Sequence, residues 1–426
     1  MTIAIFLGAL LGAMALGVPI AFSLLACGAA LMWHMNMFDP QILAQNTIEG
    51  ANSFPLLAVP FFMLAGEIMN AGGLSRRIVN FAMTLVGHVR GGLGYVAIMA
   101  AVLMAALSGS AVADAAALAA LLLPMMNRAG YDTARSAGLI SSAAIIAPVI
   151  PPSIGFVVFG VAANVSISKL FLAGIVPGLL LGAALWLTWW WLVRKEDIKP
   201  APRASRGEVL ASLRDAAFAL VLPLIVVVGL KFGVFTPTEA AVVAAVYALF
   251  VATVVYRELK LSQLYGLFLA AAQTTAVIMF LVAAAMVSAW MITVANLPGE
   301  LVALLKPLLD QPMLLMVAIM VVTMLVGTAM DMTPTILILT PVFMPLVKAA
   351  GIDPVYFGVL FIINNAIGLV TPPVGTVLST VAGVGKVSMD EVTRGVWPFM
   401  VAQFAVMFLM VFFPSLVMVP ARWFYG

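Results

Sequence analysis

The chain has 426 residues, 64% of them hydrophobic and only 9% charged. A soluble domain of this length needs far more charge to cover its surface, so the composition excludes one and indicates a polytopic membrane protein. A net charge of +3 gives no reason to expect a nucleic-acid partner, and the single cysteine, Cys27, excludes an intrachain disulfide.

The first apolar stretch, residues 2–33, is interrupted at Gly17-Val18-Pro19. It reads either as one long tilted helix or as two short ones. No Ala-x-Ala site follows a basic start, so the stretch is expected to be retained and not cleaved as a signal peptide. Cys27 within it is expected to pack. Residues 53–73 form the next span, with Glu67 near its end expected to reach for the interface. Residues 74–90 mix charges with apolar residues at helical spacing, as suits a helix lying at the interface. Residues 91–127 carry a small polar patch at their middle, Ser108-Gly109-Ser110-Ala111-Val112-Ala113-Asp114, and predict a re-entrant hairpin. Residues 134–163 are a span broken at Pro148-Val149-Ile150-Pro151-Pro152-Ser153. A last span, 169–193, ends in Trp186, Trp189, Trp190 and Trp191, expected to form an interfacial belt.

The same order then returns. Residues 216–232 and 239–256 are two segments split by Gly233-Val234-Phe235-Thr236-Pro237, with Glu239 expected as a first-turn helix acid. A span at 264–295 precedes an interfacial stretch at 296–311. Residues 312–347 predict a second hairpin around Gly327-Thr328-Ala329-Met330-Asp331-Met332-Thr333-Pro334. Residues 354–384 are broken at Thr371-Pro372-Pro373-Val374-Gly375-Thr376, and 396–419 is the last span. Pro124, Gly130, Asp132, Pro151 and Pro152 recur as Pro345, Gly351, Asp353, Pro372 and Pro373 at one offset of 221. Apolar composition does not readily repeat such residues in register. The chain is therefore expected to hold two repeats, 1–214 and 215–426, in one membrane domain.

Charge placement predicts how the repeats lie. The loop with Arg194, Lys195, Lys199, Arg203 and Arg206 is expected to be cytoplasmic. Arg76, Arg77, Arg90, Arg128 and Arg135 put the open end of the first hairpin on that side, whereas Lys306, Asp310, Lys348 and Asp353 around the second sum to zero. The repeats are thus expected to be inverted, all-α, each with a re-entrant hairpin and a broken helix converging near the midplane.

The convergent residues set the chemistry. Na⁺ takes hard oxygens from unwound backbone and hydroxyls, which makes Ser110, Gly327, Thr328 and Thr333 at the tips candidates, with Pro148, Ile150, Val370 and Thr371 at the breaks. Ser108, Gly109, Ser153 and Thr376 are candidates for an anionic substrate beside half-helix N-termini. Asp114 and Asp331 fit two roles, capping a half-helix or coupling an ion or proton. Asn364 and Asn365 fit ligation of cation or substrate, or hydrogen bonds between helices. His34 and His88 are far apart and form no metal cluster, and no phosphate-binding Gly-x-x-x-x-Gly-Lys loop exists, so no organic cofactor or ATPase chemistry is expected. An intramembrane aspartyl protease using Asp114 and Asp331 is disfavoured, because neither stands in a Gly-x-Gly-Asp setting.

Several segments together resemble the large permease subunits of tripartite ATP-independent periplasmic (TRAP) transporters. They are Phe61-Phe62-Met63-Leu64-Ala65-Gly66-Glu67-Ile68-Met69, Asn70-Ala71-Gly72-Gly73-Leu74, the Ser108–Asp114 patch, Ala147-Pro148-Val149-Ile150-Pro151-Pro152-Ser153 and Leu369-Val370-Thr371-Pro372-Pro373-Val374-Gly375. Within that family the chain is most similar to large subunits for 2,3-diketo-L-gulonate uptake. The resemblance implies a multi-pass protein of the bacterial inner membrane with an ion-transporter-superfamily-like fold of elevator type. It implies Na⁺-coupled import of carboxylates or sugar acids, with a separate small four-helix membrane subunit and a periplasmic substrate-binding protein as partners. A stand-alone carboxylate carrier, driven by protons or exchange, is the alternative.

Overall fold

The computed structural model describes residues 2–194 and 200–425. The expected Lys195 and Lys199 of the basic loop lie outside the described residues. Every described element is helical.

Residues 2–33 resolve into two helices, α1 (Thr2–Ala15) and α2 (Ile20–His34), turned at Gly17 with φ +80°. A further helix, α3 (Pro40–Ala51), has no counterpart in the sequence reading. Then come α4 (Ala58–Ala71), α5 (Leu74–Val86), and the hairpin α6 (Gly92–Ser108) and α7 (Ala111–Arg128). The first broken helix is α8 (Thr133–Ala144) and α9 (Ile154–Ala163), followed by α10 (Ile167–Val193). The order recurs as α11 (Arg206–Lys231), α12 (Pro237–Phe250), α13 (Leu261–Val294), and the short α14 (Leu297–Leu304) and α15 (Lys306–Leu309). The second hairpin is α16 (Pro312–Gly327) and α17 (Met332–Ala349); the second broken helix is α18 (Pro354–Gly368) and α19 (Thr376–Gly385). The expected last span, 396–419, is instead α20 (Met389–Phe412) and α21 (Ser415–Tyr425), divided at Phe413-Pro414. Proline lacks the N–H that would continue the helix, and Phe413 before it is extended (φ −124°, ψ 77°). Among the described residues, eight helical stretches are long and apolar enough to cross a membrane.

The five residues repeated in sequence have matching local roles. Gly130 and Gly351 end α7 and α17 with positive φ, and the residue after each donates its N–H back to Met126 O or Val347 O. Asp132 and Asp353 cap α8 and α18, accepting from Arg135 N at 2.7 Å and Val355 N at 2.8 Å. Pro124 and Pro345 lie inside α7 and α17. Pro151-Pro152 and Pro372-Pro373 are both cis and occupy the breaks.

Packing sorts the helices into an outer and an inner group. The outer group joins α13 to α2, α3 and α4, α12 to α4, and α11 to α5. In the inner group, α17 packs on α9 and α19 on α7, so each hairpin holds the other half's broken helix. Similarly α20 crosses α8 and α10 crosses α18. The α8–α20 crossing is close because Gly138 and Gly395 face each other; a Cβ on Gly395 would run into Ala134 O. Buried Gln403 Nε2 donates to Ser142 O at 2.8 Å across the same crossing.

Trp189 does not belong to an interfacial belt. It is 1% exposed, stacked between Tyr131 and Phe399, and donates Nε1 to Gly91 O at 2.9 Å. Gly94 leaves room for its ring. Trp190 and Trp191 are more than half exposed, as a lipid-facing pair would be. Thus the open end of the first hairpin sits at the C-terminal end of α10. At the other end of α10, Lys169 lies 5.3 Å from the Tyr425 ring of α21. Pro312 and Asp353, at the open end of the second hairpin, share a cavity with Arg422 of α21.

Gly395→Leu should destabilise the chain by roughly 1–3 kcal/mol, the usual cost of overpacking. Gly383→Ala, whose Cβ meets open space, should be neutral. Melting temperatures in detergent test this, and equal values for the two variants would contradict the close crossing.

Candidate functional site

The first hairpin tip is held from inside. Ser108 Oγ donates to Asp114 Oδ1 at 2.5 Å and accepts from Ser110 N at 3.2 Å. Asp114 is completely buried, and among the described residues its Oδ2 has no hydrogen-bond partner. The cap of α7 is Ser110, whose Oγ accepts from Ala113 N at 3.4 Å. Asp114 therefore does not cap the half-helix; it sits one turn in and fixes the tip through Ser108. Gly109 has φ +60° and lies against the carbonyl of Pro152, so a side chain fits neither the backbone nor the space. The first tip thus rests on the first break.

The second tip is arranged differently. Asp331 stands at the N-cap of α17 without a capping bond from its side chain. Its Oδ1 instead accepts from Thr376 Oγ1 at 3.4 Å, joining the tip to the start of α19. Gly327 meets Gly368 at the end of α18, where a Cβ would come within 3.0 Å of Gly327 O. The Thr328 hydroxyl turns back to Leu325 O at 2.8 Å.

Side chains replace the helical bonds that the prolines remove. Ser153 Oγ donates to Pro148 O, accepts from Phe156 N at 3.2 Å, and so closes the first break and caps α9. Thr371 Oγ1 donates to Ile367 O at 2.8 Å, and Val377 N reaches Leu369 O at 3.1 Å across the second break. The first break is buried throughout, while Val374 in the second is 46% exposed. Among the described residues, no donor reaches the carbonyls of Ile150 or Val370.

A cavity of about 470 Å³ brings parts of both halves together. Gly109, Ser110, Val112 and Ala113 line it from the first tip, Asp331, Met332 and Thr333 from the second, and Pro148 and Leu369 from the two breaks. Its opposite wall is outer-group surface: Met63 and Glu67 of α4, and Thr274, Val277, Ile278 and Leu281 of α13. Among the sequence candidates, Gly109, Ser110, Pro148, Asp331 and Thr333 line this cavity. Ser108, Asp114 and Ser153 stand behind it as supports. Ile150, Gly327, Thr328, Val370, Thr371 and Thr376 are outside its lining. Asn364 and Asn365 are buried; Asn364 donates to Met320 O of α16 at 2.6 Å, and Asn365 to Phe361 O within its own helix at 2.7 Å.

Two lining groups were missed. Glu67, expected to reach for the interface, faces the tips; a lone carboxylate in an apolar span was the available signal. Thr274 belongs to the polar run Gln273-Thr274-Thr275 inside the long α13, which interrupts an otherwise apolar stretch. Glu67 and Asp331 make the wall acidic, and among the described residues no Lys, Arg or His lines it. Also among them, no group of three or more His, Cys, Asp or Glu side chains is placed to hold a metal ion.

Residues 7–416 match the family described as the tripartite ATP-independent periplasmic transporter, DctM component. The chain belongs to this family. It is 57% identical to the 2,3-diketo-L-gulonate TRAP transporter large permease protein YiaN of Escherichia coli (strain K12), over 99% of this chain and 100% of that protein. It is 40% identical to the sialic acid TRAP transporter large permease protein SiaM of Vibrio cholerae, over 98% and 97% of the two chains. The fold is similar to the crystal structure of the Alcanivorax borkumensis YdaH transporter. That match has a TM-score of 0.60 and 16% identity, and covers 91% of this chain and 89% of that one. This TRAP large permease is accordingly a multi-pass membrane transport protein and not an enzyme.

Cys27 is the chain's one cysteine and is buried, so introduced thiols report without background. Glu67→Cys and Ser110→Cys should react with a small charged thiosulfonate roughly tenfold faster than Asn364→Cys, because access governs thiol modification. Equal rates would contradict the cavity's placement.

Proposed function

We propose that this TRAP large permease is the membrane subunit of a Na⁺-coupled secondary importer of carboxylates or sugar acids, working by an elevator movement. The cavity shared by both tips, both breaks and the outer helices carries this reading. A site bounded on one wall by the inner group and on the other by the outer group is exposed or sealed when one slides on the other.

In such an importer the halves, 1–214 and 215–426, are inverted repeats. Reciprocal packing supports it: α7 on α19 answers α17 on α9, α20 on α8 answers α10 on α18, and α12 on α4 answers α2 on α13. The placement of the two hairpin openings at opposite ends of α10 supports inversion. By length alone, 18 residues of α7 or α17 extend about 27 Å, close to a bilayer core. The tips nonetheless end against Pro152 and Gly368 inside the protein, as re-entrant hairpins would.

Charge supports cation coupling. Two carboxylates and no basic group repel an anionic substrate unless cations enter with it. Na⁺ bound at the Ser110 and Thr333 hydroxyls and the Asp331 carboxylate would supply that positive charge next to the N-termini of α7 and α17, whose partial positive charge suits a substrate carboxylate. Asp114 and Ser108 would hold the first tip rigid behind it. A periplasmic binding protein and a small four-helix subunit complete the proposed system in the bacterial inner membrane, with the basic 194–206 end cytoplasmic. The sugar-acid class follows from the 2,3-diketo-L-gulonate and sialic acid relatives.

Proteoliposomes test the whole reading. Uptake should need the binding protein, the small subunit and inward-directed Na⁺. Uptake without the binding protein, or driven by a pH gradient in Na⁺-free buffer, would favour a stand-alone carrier. Ser110→Ala or Thr376→Ala should raise the half-saturating Na⁺ concentration about tenfold, equivalent to about 1.4 kcal/mol. An unchanged Na⁺ titration would remove Ser110, or the Asp331 carboxylate that Thr376 holds, from the coupling site.

A further inference from the structure

A second cavity, of about 620 Å³, lies between the end of α5 and the start of α11. It shares no lining residue with the transport cavity. Its polar wall carries Arg203, Arg206 and His88, and among the described residues no carboxylate lines it. Its apolar wall is Leu85, Val209, Leu210 and Leu213. The two helices are tied here by the Thr84 and Ser212 hydroxyls, 2.8 Å apart. Among the described residues, His88 Nδ1 is buried without a hydrogen-bond partner.

The apolar wall does not stop at the cavity. Leu210 is 67% exposed and Leu213 40%, and the same face continues through exposed Val221, Leu224 and Val228. These positions recur at intervals of three, four and eight, which keeps them on one side of α11. From 210 to 228 the stripe runs about 27 Å, close to the thickness of a bilayer core. A basic mouth therefore sits at one end of an apolar track of membrane length.

We propose that this cavity binds an anionic phospholipid. Its phosphate would accept from the guanidinium groups of Arg203 and Arg206 and from His88, while an acyl chain lies along α11. Guanidinium forks match phosphate oxygens in geometry as well as charge. A free phosphate has no use for the apolar track, and an acidic peptide would leave it uncovered. The lipid fits both parts. The basic end of α11 is also where the sequence places the cytoplasmic face, the leaflet side on which basic pockets meet anionic head groups. Bound there, the lipid would brace amphipathic α5 against α11 in the outer group.

Native mass spectrometry of the full chain, titrated with phosphatidylglycerol or phosphatidylcholine of the same acyl chains, tests this. Each guanidinium beside an anionic head group is worth about fivefold in affinity. Wild type should therefore retain phosphatidylglycerol at least about fivefold better. R203Q/R206Q should lose the preference and R203K/R206K should keep part of it. R394Q, at the exposed ion pair with Asp390 on α20, should keep it in full. On wild type alone, a photoactivatable phosphatidylglycerol should crosslink to peptides containing Thr84–His88 or Arg203–Leu213, which covers the case of a variant that fails to fold. Equal retention of the two lipids, a preference surviving R203Q/R206Q, or crosslinks confined to other segments would overturn the proposal. Thermal stabilisation by millimolar inorganic phosphate equal to that by phosphatidylglycerol would also overturn it, leaving a general anion site.

Discussion

An interrupted helix inside an apolar protein leaves backbone groups that water cannot satisfy. Each such group costs several kcal/mol in hydrocarbon unless it finds a partner, and this requirement shapes the inner group. The structure meets it with short hydroxyl side chains placed one turn from each interruption. Ser153 bridges Pro148 O to the first turn of α9, and Thr371 reaches Ile367 O. At the first tip, Ser108 and Ser110 do the same work, with Asp114 drawn in as the acceptor of the Ser108 proton. Among the described residues, the carbonyls of Ile150 and Val370 are left over. The prolines thus act by exposing oxygens, and the hydroxyls decide which of those oxygens are already taken.

The same constraint explains the close glycine contacts. Once a tip ends inside the protein, it must lie against whatever faces it with no room for water. Gly109 against Pro152 and Gly327 against Gly368 are the two results. They are not equivalent in their surroundings. The first break is wholly buried, whereas the second exposes Val374, and among the described residues the Asp331 side chain is tied only to Thr376. The cavity between the tips therefore has one firmly braced tip and one more lightly held. Its acidic character comes from Asp331 on the lighter tip and Glu67 on the outer wall, which places one carboxylate on each side of the proposed sliding surface.

Much of this was legible in the sequence, for identifiable reasons. Proline, glycine and aspartate mark backbone geometry directly, so the hairpins and breaks could be read from Pro151-Pro152, Gly130, Asp132 and their counterparts. Burial of an aromatic ring could not be read in this way. Trp189 resembles its neighbours Trp190 and Trp191 in sequence, and only the approach of Gly91 and Gly94 draws it inside. The direction of a polar side chain from a long apolar helix was equally hidden, which is why Glu67 and Thr274 were not placed at the site. Asn364 and Asn365 show the converse. Their amides looked suited to a ligand, but the amide nitrogens are each bonded to a carbonyl, whereas both Oδ1 atoms are buried without a hydrogen-bond partner among the described residues.

In the proposed importer, cation and anion meet in the cavity between the two tips. Cryo-electron microscopy of the chain with its small subunit in nanodiscs, with and without Na⁺ and a sugar-acid substrate, tests it most directly. Na⁺-dependent density should appear beside Ser110, Asp331 and Thr333, with the substrate carboxylate nearby at the α7 and α17 N-termini. Substrate density elsewhere, or in this cavity equally without Na⁺, would contradict it.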